Sequence, residues 1–247
     1  MTRDDIKKIL DKVCRLYITQ AKKMSNEELL MMVDSWEETF RSDSYDDVER
    51  AVNAYVRKGN AFIPLPGDII KELTAILEAA GNSSRFGSNK LLHVMDDGRP
   101  MAASILEAAR SVDAYKKILV TQYDEVAAMA PDFDVIRNDR PDLGISRSMQ
   151  LGLEAAGDAD AYMFCVCDQP GLTAATLKRL IKAYKKRTAG IVSLAWQGKM
   201  CNPKIFSSRY KEELMKLSGD TGGRQIIASH KDDILLVEAV SEDEVKD

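Results

Sequence analysis

Ala161-Tyr162-Met163-Phe164-Cys165-Val166-Cys167-Asp168-Gln169-Pro170 is an apolar run that stops on an acid, an amide and a proline. A run this short, rich in aromatic and small apolar residues, reads as a strand buried on both faces. Working outward, further short β-type runs fall at 117–121, 133–137, 190–195 and 234–237. Helical patterns lie between and around them, near 100–111, 124–130, 145–156, 173–187, 208–216 and 222–230. Alternating strand and helix predicts an α/β unit with a mostly parallel sheet, Rossmann-like, covered on both faces. Such sheets bind ligands outside the carboxyl ends of their strands, where Asp168 would stand. The four cysteines show no zinc-ligand spacing, and Cys165 and Cys167 read as small buried hydrophobes.

The first 77 residues have another character. Thr2 reads as an N-cap, and Ser25-Asn26-Glu27-Glu28 as a capping box. Apolar stripes follow at helical spacing: Ile6, Ile9, Leu10 and Val13, then Leu29, Leu30, Val33, Trp36 and Phe40, then Val48, Val52 and Tyr55. Ser44 or Asp46 would start the third helix. After a loop with Pro64 and Pro66, residues 68–80 read as one more amphipathic helix. The expected organisation is therefore a small all-α domain over 1–77 and an α/β domain over 78–247.

The chain has 247 residues, 45% hydrophobic and 30% charged, with net charge -4. Residues 1–77 hold 12 basic and 14 acidic side chains, leaving 23 and 25 for 78–247. Neither part carries the basic footprint of a general nucleic-acid binder. No apolar run approaches membrane-spanning length and no signal peptide opens the chain, so a cytoplasmic location is expected.

Four segments could carry chemistry. Ala79-Ala80-Gly81-Asn82-Ser83-Ser84-Arg85-Phe86-Gly87-Ser88-Asn89-Lys90 is a small polar loop with two cations, suited to cradling phosphate. Asp168 is the candidate Mg²⁺ ligand, because a hard cation takes carboxylate and phosphate oxygens. Gly144, Ser146 and Ser148 precede a helix and could present backbone N–H groups to a nucleotide. Gly219-Asp220-Thr221-Gly222-Gly223-Arg224 sets an acid on flexible backbone, either to hold metal or substrate or merely to turn the chain. Taken singly, the bland readings (surface loop, turn acid, helix cap) remain open.

The order of these segments resembles the MobA-like NTP transferases, with the cytidylyl branch that acts on molybdenum cofactor most similar. The resemblance covers nearly all of 79–247. It implies transfer of a nucleoside monophosphate from an NTP to a phosphate-bearing acceptor such as molybdopterin, with release of pyrophosphate. By the same resemblance Gly81, Ser83, Arg85 and Lys90 would hold the triphosphate, Arg85, Lys90 and Asp168 would be catalytic, and Gly144 and Ser148 would lie near the nucleotide. Asp168 would bind Mg²⁺, with Asp220 as a second metal candidate. The Ala80-Gly81 pair and Gln169 favour CTP over GTP. Two departures stand out: Glu78 occupies a position where the family carries leucine, and Asp247 would be the first residue of a further acidic motif. Residues 1–75 are similar to the phage replicative helicase loader and inhibitor family, on the spacing of Trp36, Tyr45, Val48, Ala51, Val52 and Tyr55 and the loop Phe62-Ile63-Pro64-Leu65-Pro66. That implies docking on a replicative helicase. The competing expectations are a helicase-loader-like regulator carrying an inactive nucleotide-binding domain, and a nucleotide-binding scaffold without turnover.

Overall fold

The computed structural model describes residues 1–41, 45–57, 59–66, 73–79, 89–112, 114–186 and 188–247. The chain divides into two compact units, Met1–Lys71 and Glu72–Asp247.

The first unit contains α1 (Arg3–Leu16), α2 (Ile18–Ala21), α3 (Asn26–Phe40) and α4 (Tyr45–Arg57). The two expected caps form. The Thr2 hydroxyl accepts from the Asp5 N–H, the Ser25 hydroxyl accepts from the Glu28 N–H, and each acid reaches back to its cap backbone. Ser44, one of the two expected starts of α4, lies outside the described residues. The apolar stripes meet in one core of Ile6, Ile9, Leu10, Val13, Trp36, Phe40, Val48 and Val52. Gln20 ties down the proline loop: its Oε1 accepts from the Ile63 N–H at 2.8 Å and its Nε2 donates to the Ala61 carbonyl at 2.5 Å.

In the second unit the helix expected over 68–80 is corrected. Residues 67–72 and 80 lie outside the described residues, but Leu73–Ala79 is a strand, β1. Its letters, Leu-Thr-Ala-Ile-Leu-Glu-Ala, favour helix locally. Parallel pairing on both sides overrides that preference, because β1 sits between two strands and is covered on both faces. Ala75, Leu77 and Ala79 enter one core and Ile76 enters the other. The strand thus draws residues 73–77 into the second unit.

The other strands are β2 (Lys117–Thr121), β3 (Asp134–Arg137), β4 (Ala161–Val166), β5 (Ile191–Trp196), β6 (Lys199–Ser207) and β7 (Ile234–Glu238). They form a seven-stranded sheet in the order β3-β2-β1-β4-β6-β5-β7, in which β6 alone runs antiparallel to its neighbours. β6 has no forerunner in the sequence reading, since Pro203 and the polar residues around it hide its pattern. The turn before it explains the reversal. Gln197 and Gly198 have φ of 50° and 75°, the paired positive values of a tight two-residue hairpin.

α5 (Met101–Arg110), α6 (Asp124–Ala128), α7 (Ile145–Ala156), α8 (Ala174–Tyr184), α9 (Lys211–Met215) and α10 (Arg224–Ser229) complete the unit. α5 and α8 contribute to the core on one face of the sheet, α7, α9 and α10 to the core on the other. α7 lies very close to β1. A Cβ on Gly152 would stand 2.4 Å from Ile76 Cγ2, so only glycine permits this spacing.

Candidate active site

The strand order reverses at β1. From there the chain winds outward through β2 and β3, then returns to place β4 on the opposite side of β1. The carboxyl ends of β1 and β4 therefore border the crevice in which such sheets bind ligands. They are joined beyond their last pair, where the Cys167 N–H donates to the Glu78 carbonyl at 3.2 Å. Residues 80–88 continue from β1, so the expected nucleotide contacts Ala80, Gly81, Ser83 and Arg85 lie outside the described residues. The far end of that loop is described. Asn89 caps a short 3-10 turn, Lys90–Leu92, through its side-chain oxygen. From this turn the Lys90 Nζ approaches Asp168 Oδ2 at 3.5 Å. Both side chains remain partly open to solvent, so the pair is accessible to a ligand.

The loop after β4 is held from two sides. Gln169 is buried, and its Nε2 donates to the Val245 carbonyl at 3.1 Å. A Cβ on Gly171 would overlap the Asp243 carbonyl, which shows how closely segment 242–245 passes. Glu244 anchors that segment. Its carboxylate accepts from Thr176 Oγ1 at 2.6 Å, from Arg179 Nη2 at 2.7 Å and from the Val240 N–H at 3.1 Å. Burial alone would raise its pKa, but these hydrogen bonds outweigh burial and hold it below the usual glutamate range. Neither Glu244 nor Arg179 stood out in the sequence, because nothing local links residues 65 apart.

The two glycine segments expected to flank a nucleotide meet each other. Asp220 Oδ1 accepts from the Ile145 N–H at 3.1 Å, at the start of α7. Gly144 has φ of 83°, and a Cβ there would fall 2.5 Å from the Gly219 carbonyl carbon. The structure therefore places Asp220 as a helix cap. Ser148 is buried, with its Oγ accepting from Asn138 Nδ2 at 3.0 Å. Asn138, at the end of β3, escaped the sequence reading because an isolated asparagine carries no spacing signal. Ser146 Oγ is buried and has no hydrogen-bond partner among the described residues.

A cleft of about 1020 Å³ opens on the other side of Asp168. Asp168, Gln169, Asn202, Lys204, Arg224 and Asp247 are among its lining residues. Among the described residues no three His, Cys, Asp or Glu side chains converge as a metal cluster.

Residues 75–234 match the model of the MobA-like NTP transferase domain. The chain belongs to this family. Residues 1–70 match a second family model, the N-terminal domain of the phage helicase loader and inhibitor type that the apolar spacing resembled. Solved structures agree on the fold of the family unit. Rv0371c from Mycobacterium tuberculosis is 24% identical, with 68% of this chain and 89% of that chain covered and a TM-score of 0.59. The same protein has been solved with manganese, at a TM-score of 0.56. A nucleotidyl transferase from Methanothermobacter thermautotroptrophicus is 24% identical over 69% of this chain and 88% of its own, with a TM-score of 0.58. A CMP:2-keto-3-deoxy-manno-octonic acid synthetase complexed with CTP is 13% identical over 68% and 90%, with a TM-score of 0.54. No curated protein matches the chain. Within the family unit, as in the rest of the described residues, no helix is long and apolar enough to cross a membrane.

Proposed function

We propose that the α/β unit transfers a nucleoside monophosphate, CMP from CTP in preference to GMP from GTP, to a phosphate-bearing acceptor of the molybdopterin class. The observation that carries this reading is the approach of Lys90 to Asp168 across the crevice between β1 and β4. A cation from the phosphate-loop side and a carboxylate from the strand end are the two charges that a triphosphate and its metal require. Membership of the family supports nucleotidyl transfer. The CTP and manganese complexes of proteins sharing the fold support a cytidine nucleotide and a divalent ion.

Asp168 and Asp247 offer hard oxygens to one cleft, which fits Mg²⁺, an ion that takes a few carboxylates and completes its shell with phosphate and water. When bound, Mg²⁺ would polarise the phosphates and neutralise part of their charge. Asp220 fits a helix cap better than a ligand, because its Oδ1 already accepts from the Ile145 N–H.

The chain's own residues would then act as follows. Lys90, with Arg85 in the preceding loop, balances the charge that builds on the departing pyrophosphate. Gly144 and the start of α7, locked by Asp220, border the nucleotide. An oxygen of the acceptor phosphate attacks the α-phosphorus. The bond from that phosphorus to the bridging oxygen breaks, and pyrophosphate leaves with the electron pair. The attacking phosphate is already an anion, so no general base is required.

For the helical unit we propose docking on a replicative helicase, supported by the match over residues 1–70. The transferase reading is tested by pyrophosphate release with Mg²⁺, CTP or GTP, and molybdopterin. Turnover should fall at least ~100-fold in Asp168→Ala, the order seen when a key electrostatic group is removed. Nucleotide binding without release would favour the scaffold. Thermal stability unchanged by any nucleotide at high concentration would favour the helicase-binding regulator with an inactive domain.

A further inference from the structure

The cleft beyond Asp168 lies over the β6, β5 and β7 side of the sheet, away from Lys90. Four cations line it: Lys199, Lys204, Arg224 and Lys231. None of them makes an ion pair among the described residues, whereas Lys90, Arg179, Arg209 and Lys211 in the same unit each face a carboxylate. Lys199 and Lys231 are exposed and can be satisfied by water. Lys204 is different. It stands on β6 opposite Phe164, on the face that carries Phe206 and Tyr162 in the apolar core. Its Nζ has one neutral hydrogen-bond acceptor, Asn202 Oδ1 at 2.7 Å. Burial pulls its pKa down to about 8, and the positive charge of Arg224 adds to that, against the opposing influence of Cys201 and Glu78. Arg224 makes no side-chain hydrogen bond or ion pair among the described residues. A desolvated ammonium facing a guanidinium without a carboxylate is unfavourable unless an anion comes to it.

The nearest acid on the same face does not supply that anion. Glu78 pairs with Val166 in the register of β1 and β4, across β4 from Lys204. Burial pushes its carboxyl up to about 8, so it is mostly protonated at neutral pH. Apolar side chains of Ile227, Ile234 and Leu236 line the cleft around the cations. A ligand that fills this space combines an anionic group with a flat or apolar body.

We propose that Lys204 and Arg224 form the subsite that takes the acceptor's phosphate, with the walls of Ile227, Ile234 and Leu236 receiving its ring system. This rests on the transferase reading, and it gives that reading a geometry. The nucleotide would approach Asp168 from the β1 side and the acceptor from the β6 side. Attacking and leaving oxygens would then stand on opposite sides of the α-phosphorus, as in-line displacement requires.

The test uses the full chain without nucleotide and 1-naphthyl phosphate as the probe, with 1-naphthol as its uncharged control, followed by titration calorimetry. The phosphate should bind at least ~10-fold more tightly than the naphthol, the size of effect expected for a charge-assisted contact. Lys204→Met and Arg224→Met should each remove most of that advantage, while Lys90→Met should leave it in place. Should Lys204→Met fail to fold, the exposed Arg224→Met decides alone. Equal affinity for the two probes, or full affinity in Arg224→Met, overturns the proposal. Asp168→Ala separates the two ideas: it should abolish pyrophosphate release yet keep naphthyl phosphate binding. If the wild-type chain releases no pyrophosphate, the transferase reading fails, and the anion subsite still stands or falls by the titration.

Discussion

Two glutamates of the α/β unit hold carboxyl groups shielded from water, one at the end of β1 and one in the segment 242–245, and their surroundings are opposite. Glu244 accepts three hydrogen bonds, one of them from Arg179, and its carboxylate is held ionised. Glu78 has an Oε1 atom sealed from solvent with no hydrogen-bond partner among the described residues, and burial pushes its pKa up to about 8. The same residue type is a rivet in one place and a burden in the other. What separates them is the supply of donors rather than depth.

The strongest way to break this contrast is Glu244→Ala. It leaves Arg179 and the Thr176 hydroxyl without their acceptor and frees the segment that packs on Gly171. Loss of one partner of a buried pair costs about 3 kcal/mol or more, which should show as a large drop in the denaturant midpoint. The pH dependence has a definite sign. Because the folded pKa of Glu244 is lowered, its contribution is full above the ordinary value of 4.5 and is lost as pH falls through the folded value. A Glu244→Ala protein should therefore lose the least, relative to wild type, in acid.

Next in size, and opposite in direction, is Glu78→Leu, expected to stabilise by about 2 kcal/mol at pH 8 by removing an unsatisfied buried group. Here the folded pKa is raised from 4.5 to about 8. Between those values the unfolded chain binds fewer protons than the folded one, so wild-type stability falls as pH rises. The gain from leucine should grow from pH 5 to pH 8. A constant gain across that range would show that Glu78 finds a donor in the folded protein.

The smallest expected effect comes from Ser25→Ala in the helical unit. Glu28 has donors without burial: N–H and hydroxyl groups of Ser25 lower its pKa while it stays in water. Loss of the cap should reduce thermal stability by much less than Glu244→Ala, and a scan of the two variants side by side checks the ranking.

The same physics decides what could be read in advance. β2, β3, β4, β5 and β7 announce themselves through β-branched or aromatic runs, and the capping boxes of Thr2 and Ser25 are written in adjacent letters. The Asp168 site was legible because an acid ends a continuous apolar strand. β1 was not legible, because Leu-Thr-Ala-Ile-Leu-Glu-Ala becomes a strand through neighbours, β2 and β4, that lie far along the chain. β6 was hidden by Pro203 and its lysines. Asn138, Glu244 and Lys204 act through partners that no window of sequence contains.

Gly152 has a consequence for the site it does not touch. It sits eight residues into the helix that begins at the Gly144 loop, so the lever from Gly152 to that loop is about 12 Å long. A methyl group there would have to push against Ile76, lifting the helix from its fulcrum. The amino end of α7 would swing away from the crevice while every group in the crevice kept its identity. A missing side chain in mid-helix thus works as the shim that sets the height of the nucleotide's border.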